Sequence, residues 1–146
     1  MIRTVLAMAV VAVGVSAVVA QTDPITARKG FMKENNRHAK AVNAMVRGES
    51  PFDAAAVNAA FNQWTETANN LPKLFPDNSK EGGNTRAKAA IWENRKDFDA
   101  KIGAFTKAVA AGKDKSGSLE ALKATFAPVN DACNNCHDLY RAPQKK

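Results

Sequence analysis

The chain is poor in the residues that most often carry chemistry. It has two cysteines, two histidines and one tyrosine. A four-ligand structural zinc site needs more, because His38 lies alone on a segment far from Cys133, Cys136 and His137. No run alternates apolar and polar residues as a half-buried strand would, so a thioredoxin-like dithiol lacks its βαβ setting. There is no internal repeat of 20–50 residues. The formal net charge of +7 is spread along the chain with no basic block and no aromatic residues interleaved with basic ones, which argues against a nucleic-acid partner and for a solvated surface with a mild preference for acidic partners. Paired carboxylates, a nucleophile–base set and a second metal motif are all missing, so the chain does not read as an enzyme.

What is present lies at the two ends. Residues 1–20 read as a cleaved secretory signal peptide: Arg3 is the charged region, Val5 to about Val15 the apolar core, and Val18-Val19-Ala20 the small residues before a cut ahead of Gln21. Gly14 and Ser16 interrupt the apolar run, which disfavours a retained anchor. No other segment approaches membrane-spanning length, so no stable membrane anchor is expected after cleavage, and export places the protein in the periplasm. Residues 21–146 then form a single domain. Near its end stands Cys133-Asn134-Asn135-Cys136-His137, the C-x-x-C-H signature of covalent haem c attachment. Thiols three residues apart share one helical face, so both can form thioethers to a porphyrin edge while His137 offers an axial imidazole to iron. A disulfide between the same cysteines would cross-link almost nothing.

Caps and periodicity predict four helices. The first follows Thr22-Asp23-Pro24 and stops at Gly48, with an unusually polar inward stripe of Ile25, Arg28, Met32, Asn35, Ala39, Val42 and Val46. The second starts from a capping-box variant, Ser50-Pro51-Phe52-Asp53, and runs through Val57, Phe61, Trp64, Ala68 and Leu71 to Pro72. A loop over about 72–84 follows. The third runs from about Thr85 to Ala111 with Ile91, Arg95, Phe98, Ile102, Phe105 and Val109 on one stripe. Ser118 caps the fourth, whose stripe is Leu119, Leu122, Phe126, Val129, Cys133, Cys136 and Tyr140; Pro128 inside it predicts a kink near 125–128.

Four such helices with short connections make an all-α, antiparallel up-down-up-down four-helix bundle, here enclosing one covalently attached haem. The first and last helices are then antiparallel neighbours. By helical rise, Met32 lies ~12 Å from the start of its helix and His137 ~6 Å from the end of its own. Both fall near one end of the bundle, and Met32 becomes the leading candidate for the far side of the iron.

These residues resemble the class II c-type cytochromes, cytochrome c′ and its low-spin, methionine-ligated relatives. The attachment motif is C-terminal and continues as His137-Asp138-Leu139-Tyr140-Arg141; Ile91-Trp92 precedes Phe98; and the first helix shows Arg28-Lys29-Gly30-Phe31-Met32-Lys33. The resemblance spans residues 21–146 and implies a four-helix bundle that is often a homodimer. It implies two functions, separated by the sixth iron position. In the low-spin branch the methionine at the position of Met32 is a ligand and the protein carries electrons between periplasmic redox partners. In cytochrome c′ proper the iron is five-coordinate, and NO, sometimes CO, binds at a site guarded by that side chain. Met-Lys-x-Asn and Leu71-Pro72-Lys73-Leu74-Phe75-Pro76 look more like the low-spin branch, and Lys29 departs from the glutamine common in cytochrome c′. The preferred reading is an electron carrier with His137 and Met32 on iron.

Other residues have two roles open. Arg28, on a buried stripe, either meets a haem propionate or a polar distal pocket, or reaches solvent at the helix start. Arg141 either adjusts the proximal pocket or complements the helix C-terminus. Trp92, Phe98 and Tyr140 pack around the macrocycle or serve as core. Trp64 and Phe61 are read as bundle core, His38 as a surface residue, and Met45 with Phe31 as part of a dimer face.

Overall fold

The computed structural model describes residues 23–144; the expected signal peptide lies outside the described residues. Among the described residues there are five α-helices: α1 (Pro24–Val46), α2 (Ala54–Asn70), the single-turn α3 (Ala90–Glu93), α4 (Arg95–Lys113) and α5 (Leu119–Tyr140). The four long ones pack in a closed ring, α1 on α2, α2 on α4, α4 on α5 and α5 back on α1. This is the all-α, up-down-up-down bundle that periodicity implies. Among the described residues no helix is long and apolar enough to cross a membrane.

The caps are those the sequence offers. Asp23 accepts the Thr26 amide at 2.8 Å with Pro24 in the first turn, and Ser118 accepts the Ala121 amide at 3.2 Å. Each satisfies an orphan donor of a helix N-terminus. The second helix begins later than the capping-box reading. Asp53 is itself the cap, accepting from Ala55 and Ala56, because the Ser50 amide is already donated to Ala44 in closing the end of α1. α5 continues through Pro128, which lies on the exposed side, where its missing N–H leaves a carbonyl open to water.

The third predicted helix is interrupted. Residues 85–89 are not helical, and Asn94 (φ −119°, ψ 48°) separates α3 from α4. The reason lies in the backbone partners. Arg86 accepts from the Ala142 amide at 2.8 Å, and the Lys88 amide donates to Tyr140 at 3.0 Å. Ala87 and Arg141 thus form an antiparallel bridge, which a helix starting at Thr85 could not make.

Burial divides the interior into two clusters. The first holds Val42, Met45, Val57, Phe61, Trp64, Phe105, Val109, Leu122, Phe126 and Val129, all from the four long helices. Trp64 stacks on Phe126 with centroids 5.6 Å apart and meets Phe61 edge-on at 5.1 Å. Gly112 belongs to this fit, since a Cβ there would stand 2.7 Å from the Phe61 ring. Trp64 and Phe61 are therefore core, as expected. Met45 is core as well, at 4% exposure, which corrects its placement on a dimer face: helix α1 turns the Val42–Met45 pair inward where Val46 was expected. The second cluster holds Leu71, Phe75, Ile91, Phe98, Ile102 and Tyr140, with Met32, Trp92 and Cys136 packed against it.

Candidate haem-binding site

The last two turns of α5 carry Cys133, Cys136 and His137, all half-buried. Cys133 packs against the first cluster and Cys136 against the second, so the attachment motif sits where the two meet. Both thiols are free. Burial, with Cys136 nearby, pushes the Cys133 thiol up to about 11, and burial also raises Cys136. That is the reverse of a reactive redox thiolate, which sits in electropositive, partly exposed surroundings. Burial, then Arg141 and Arg86, lower His137 to about 4, leaving a neutral imidazole with a lone pair for a metal. Two adjacent neutral thiols and a neutral imidazole on one helix end are a donor set that fits haem c.

The chain leaves this helix under restraint. The Arg141 amide still donates to the His137 carbonyl at 3.0 Å, but Arg141 is extended (φ −114°, ψ 126°) and exposed. It therefore does not continue the His137 face, as a longer helix would have required, yet it stays close enough to act on the imidazole. Arg86 arrives beside it, its Nε donating to Ala142 O at 2.8 Å, and Lys88 Nζ donates to Asp138 O at 3.2 Å.

Opposite α5, Met32 on α1 is half-buried and lies against the same second cluster as Cys136. One turn earlier, Arg28 is 4% exposed with no carboxylate partner. Its terminal nitrogens donate to Leu74 O (2.9 Å), Ser79 Oγ (2.9 Å), Ser79 O (2.8 Å) and Thr85 Oγ1 (2.9 Å). The guanidinium also lies over the Phe75 ring at 4.8 Å and the Trp92 ring at 5.9 Å. Arg28 does not reach solvent. All four N–H groups of its terminal nitrogens go to the 74–85 segment, and only Nε is left for a propionate.

That segment is a strap held almost entirely by side-chain donors. Arg95 donates to Phe75 O at 3.1 Å and Pro72 O at 3.0 Å. The Trp92 indole donates to Phe75 O and Pro76 O, both at 3.2 Å, and Lys29 Nζ to Gly83 O at 2.7 Å. Gly83 (φ +53°) sits so close to Ile25 that a Cβ would lie 2.9 Å from its Cγ2.

The expected aromatics converge here. Phe98 meets Phe75 edge-on at 4.7 Å and Tyr140 at 5.2 Å, and Phe75 meets Trp92 at 6.0 Å. Tyr140 donates to Asp97 Oδ2 at 2.6 Å. Sequence reasoning missed Phe75, Ser79, Thr85, Arg95 and Arg86 as parts of this end. Two of them had a local signal: Phe75, an aromatic between two prolines, and Arg95, a charge on an apolar stripe. His38 is on the surface side of α1, hydrogen-bonded to Arg37 at 2.8 Å.

A four-helix bundle with C-x-x-C-H on its last helix is the arrangement of a class II c-type cytochrome. The chain belongs to the cytochrome c′ family, whose sequence profile matches residues 23–141. It is 40% identical over 145 residues to cytochrome c-556 of Rhodopseudomonas palustris, covering 97% of both chains. It is 38% identical over 135 residues to a cytochrome c′ of the same organism, covering 90% of both. Among solved structures, Rhodopseudomonas palustris cytochrome c′ matches with a TM-score of 0.80 at 35% identity, over 86% of this chain and all of that one. An NMR-validated structural model of oxidised cytochrome c556 from that organism matches at 0.76 and 39%, with the same coverage. One covalently attached haem c is the cofactor of this family.

Proposed function

We propose that the chain is a periplasmic one-electron carrier, with haem c joined to Cys133 and Cys136, His137 as the axial imidazole and Met32 as the sixth ligand. The observation that carries this is the shared packing of Met32 and Cys136 against one cluster, from the neighbouring helices α1 and α5. The similarity to proteins named cytochrome c-556 supports it. The haem, when bound, supplies a one-electron iron couple. The protein's part is to hold donors. Burial keeps His137 unprotonated through the neutral range; with Met32 as the second donor, the same two residues would hold the haem iron in both redox states. Little rearrangement accompanies electron transfer, and methionine–histidine ligation raises the potential. Arg86 and Arg141 set a positive field beside His137, which also favours the reduced, less positive centre.

A second reading has an observation in its favour. The chain is nearly as similar to a cytochrome c′ as to a cytochrome c-556, and one structure it matches, at a TM-score of 0.73 and 27% identity, is a nitric oxide complex of a variant cytochrome c prime from Alcaligenes xylosoxidans. In that reading Met32 covers an open site for NO or CO. Visible spectra of the mature protein separate the two. A split, low-spin ferrous spectrum that ignores CO, and that Met32→Ala converts to a CO-reactive one, supports the carrier. A broad high-spin spectrum that already responds to CO in the wild type overturns it.

A further inference from the structure

We infer that Arg28 is the positioning residue for the sixth ligand: by locking the 74–85 strap to α1 it holds Met32 at the iron. This rests on the reading of Met32 as a ligand. The argument begins with how unusual the arginine's surroundings are. A guanidinium 4% exposed and without an anion is costly unless every donor is met. Here four of its N–H groups are met, all by the strap, and burial is the main influence lowering its own ionisation, against a small opposing pull from Asp23. Its hydrogen bonds therefore hold the strap alone, and its ring contact with Trp92 of α3, at 5.9 Å, is the longer of its two aromatic contacts.

Position gives this clamp its effect. Arg28 and Met32 are one turn apart on the same face of α1. The strap they touch delivers Phe75 and Leu74 into the cluster that Met32 and Cys136 line. The other anchors, Arg95 and Trp92, come from α3 and α4 and fix the strap to the far wall. Arg28 and Lys29 make the side-chain hydrogen bonds from α1 to the strap among the described residues; Lys29 is exposed, and Ile25 adds only apolar contact at Gly83. Releasing Arg28 leaves the strap on α3 and α4 and lets α1 move away from it, carrying Met32. A lost thioether bond then appears as a five-coordinate population that takes CO.

The test compares three haem-loaded variants by ferrous spectrum and CO titration. Arg28→Gln removes the fork, Arg28→Lys keeps the charge without the fork, and Ser79→Ala with Thr85→Val removes the two hydroxyl acceptors while leaving Arg28 and its two carbonyl acceptors, Leu74 O and Ser79 O, in place. Loss of charge-assisted hydrogen bonds predicts a rise of roughly tenfold or more in the CO-bound fraction at subsaturating CO for Arg28→Gln. Arg28→Lys should be only partly rescued, and the acceptor variant should move the same way by less. If Arg28→Gln fails to fold, the acceptor variant still decides. Variants that keep the wild-type low-spin spectrum and stay inert to CO, while Met32→Ala becomes CO-reactive, overturn the role of Arg28 and leave the carrier reading standing. A Met32→Ala spectrum identical to wild type overturns both.

Discussion

The two clusters inside this bundle are built by different means. The first is closed by helices alone: its members come from α1, α2, α4 and α5, and its aromatic trio Phe61, Trp64 and Phe126 fills the space between them. The second takes Leu71 from the turn after α2, Phe75 from the strap and Ile91 from the single-turn α3, and its outer wall is pinned by Arg28, Arg95 and Trp92 donating to carbonyls. Apolar packing is non-directional and tolerates exchange of like for like, whereas hydrogen bonds from a guanidinium fork fix a geometry. The bundle thus keeps generic packing in one cluster and a shaped, directional enclosure in the other, with the attachment motif where the two meet.

The largest effect should come from emptying the second region. Changing both Cys133 and Cys136 to serine is expected to abolish covalent attachment, so that acid–acetone extraction removes all the haem; pigment that stays with the polypeptide would contradict the assignment. Next, Phe126→Ala attacks the first cluster. Loss of a fully packed aromatic costs about 3–5 kcal/mol, read as a lower urea midpoint, while the ferrous spectrum should stay as in the wild type. A changed spectrum would mean that the two regions are not separable.

Tyr140→Phe has a smaller effect confined to the second region. Its hydrogen bond to Asp97, then burial, push the phenol up to about 12 from an ordinary 10.0. A raised value means that the folded state resists ionisation. The contribution is therefore complete below pH 10 and is lost as pH climbs from 10 towards 12. The variant should lose roughly 0.5–1.5 kcal/mol at neutral pH and show less stability loss across that alkaline window. Tyr140 is the chain's single tyrosine, so an ultraviolet titration reports this phenol alone, and an ordinary titration midpoint in the folded protein would refute the coupling.

The same division explains what could be read from the sequence. The stripes of α2 and α5 were legible because each side chain's fate is set by its own helix's period: Val57, Phe61, Trp64 and Ala68 are all buried where the 3.6-residue repeat puts them. The placement of Cys133, Cys136 and His137 together at one helix end was legible because their spacing is local to five residues. Arg28 was visible as an anomaly on a buried stripe, but its partners Ser79 and Thr85 lie 51 and 57 residues away, and nothing local marks them. The late start of the third helix has a similar reason. The a/d pattern runs unbroken from Ile91 to Val109, while the extended course of 85–89 is imposed by pairing with residues 140–142. Periodicity reports which face is apolar and is silent about a backbone captured by a distant segment.

The bridge between Ala87 and Arg141 bears on the order in which the chain assembles. Contacts that close long loops form late, because chain entropy must be lost before they contribute anything. The bridge and the strap's ties to α1 are of this kind, joined across 46 to 57 residues, while the strap's ties to α3 and α4 span only 16 to 23 and each long helix makes its own hydrogen bonds locally. A nascent chain should therefore reach a bundle-like state in which Cys133 and Cys136 are still accessible to the attachment machinery, and only afterwards seal that end. Hydrogen exchange would show it: amides of Ser79, Lys88 and Ala142 should exchange well before those at the centre of α2.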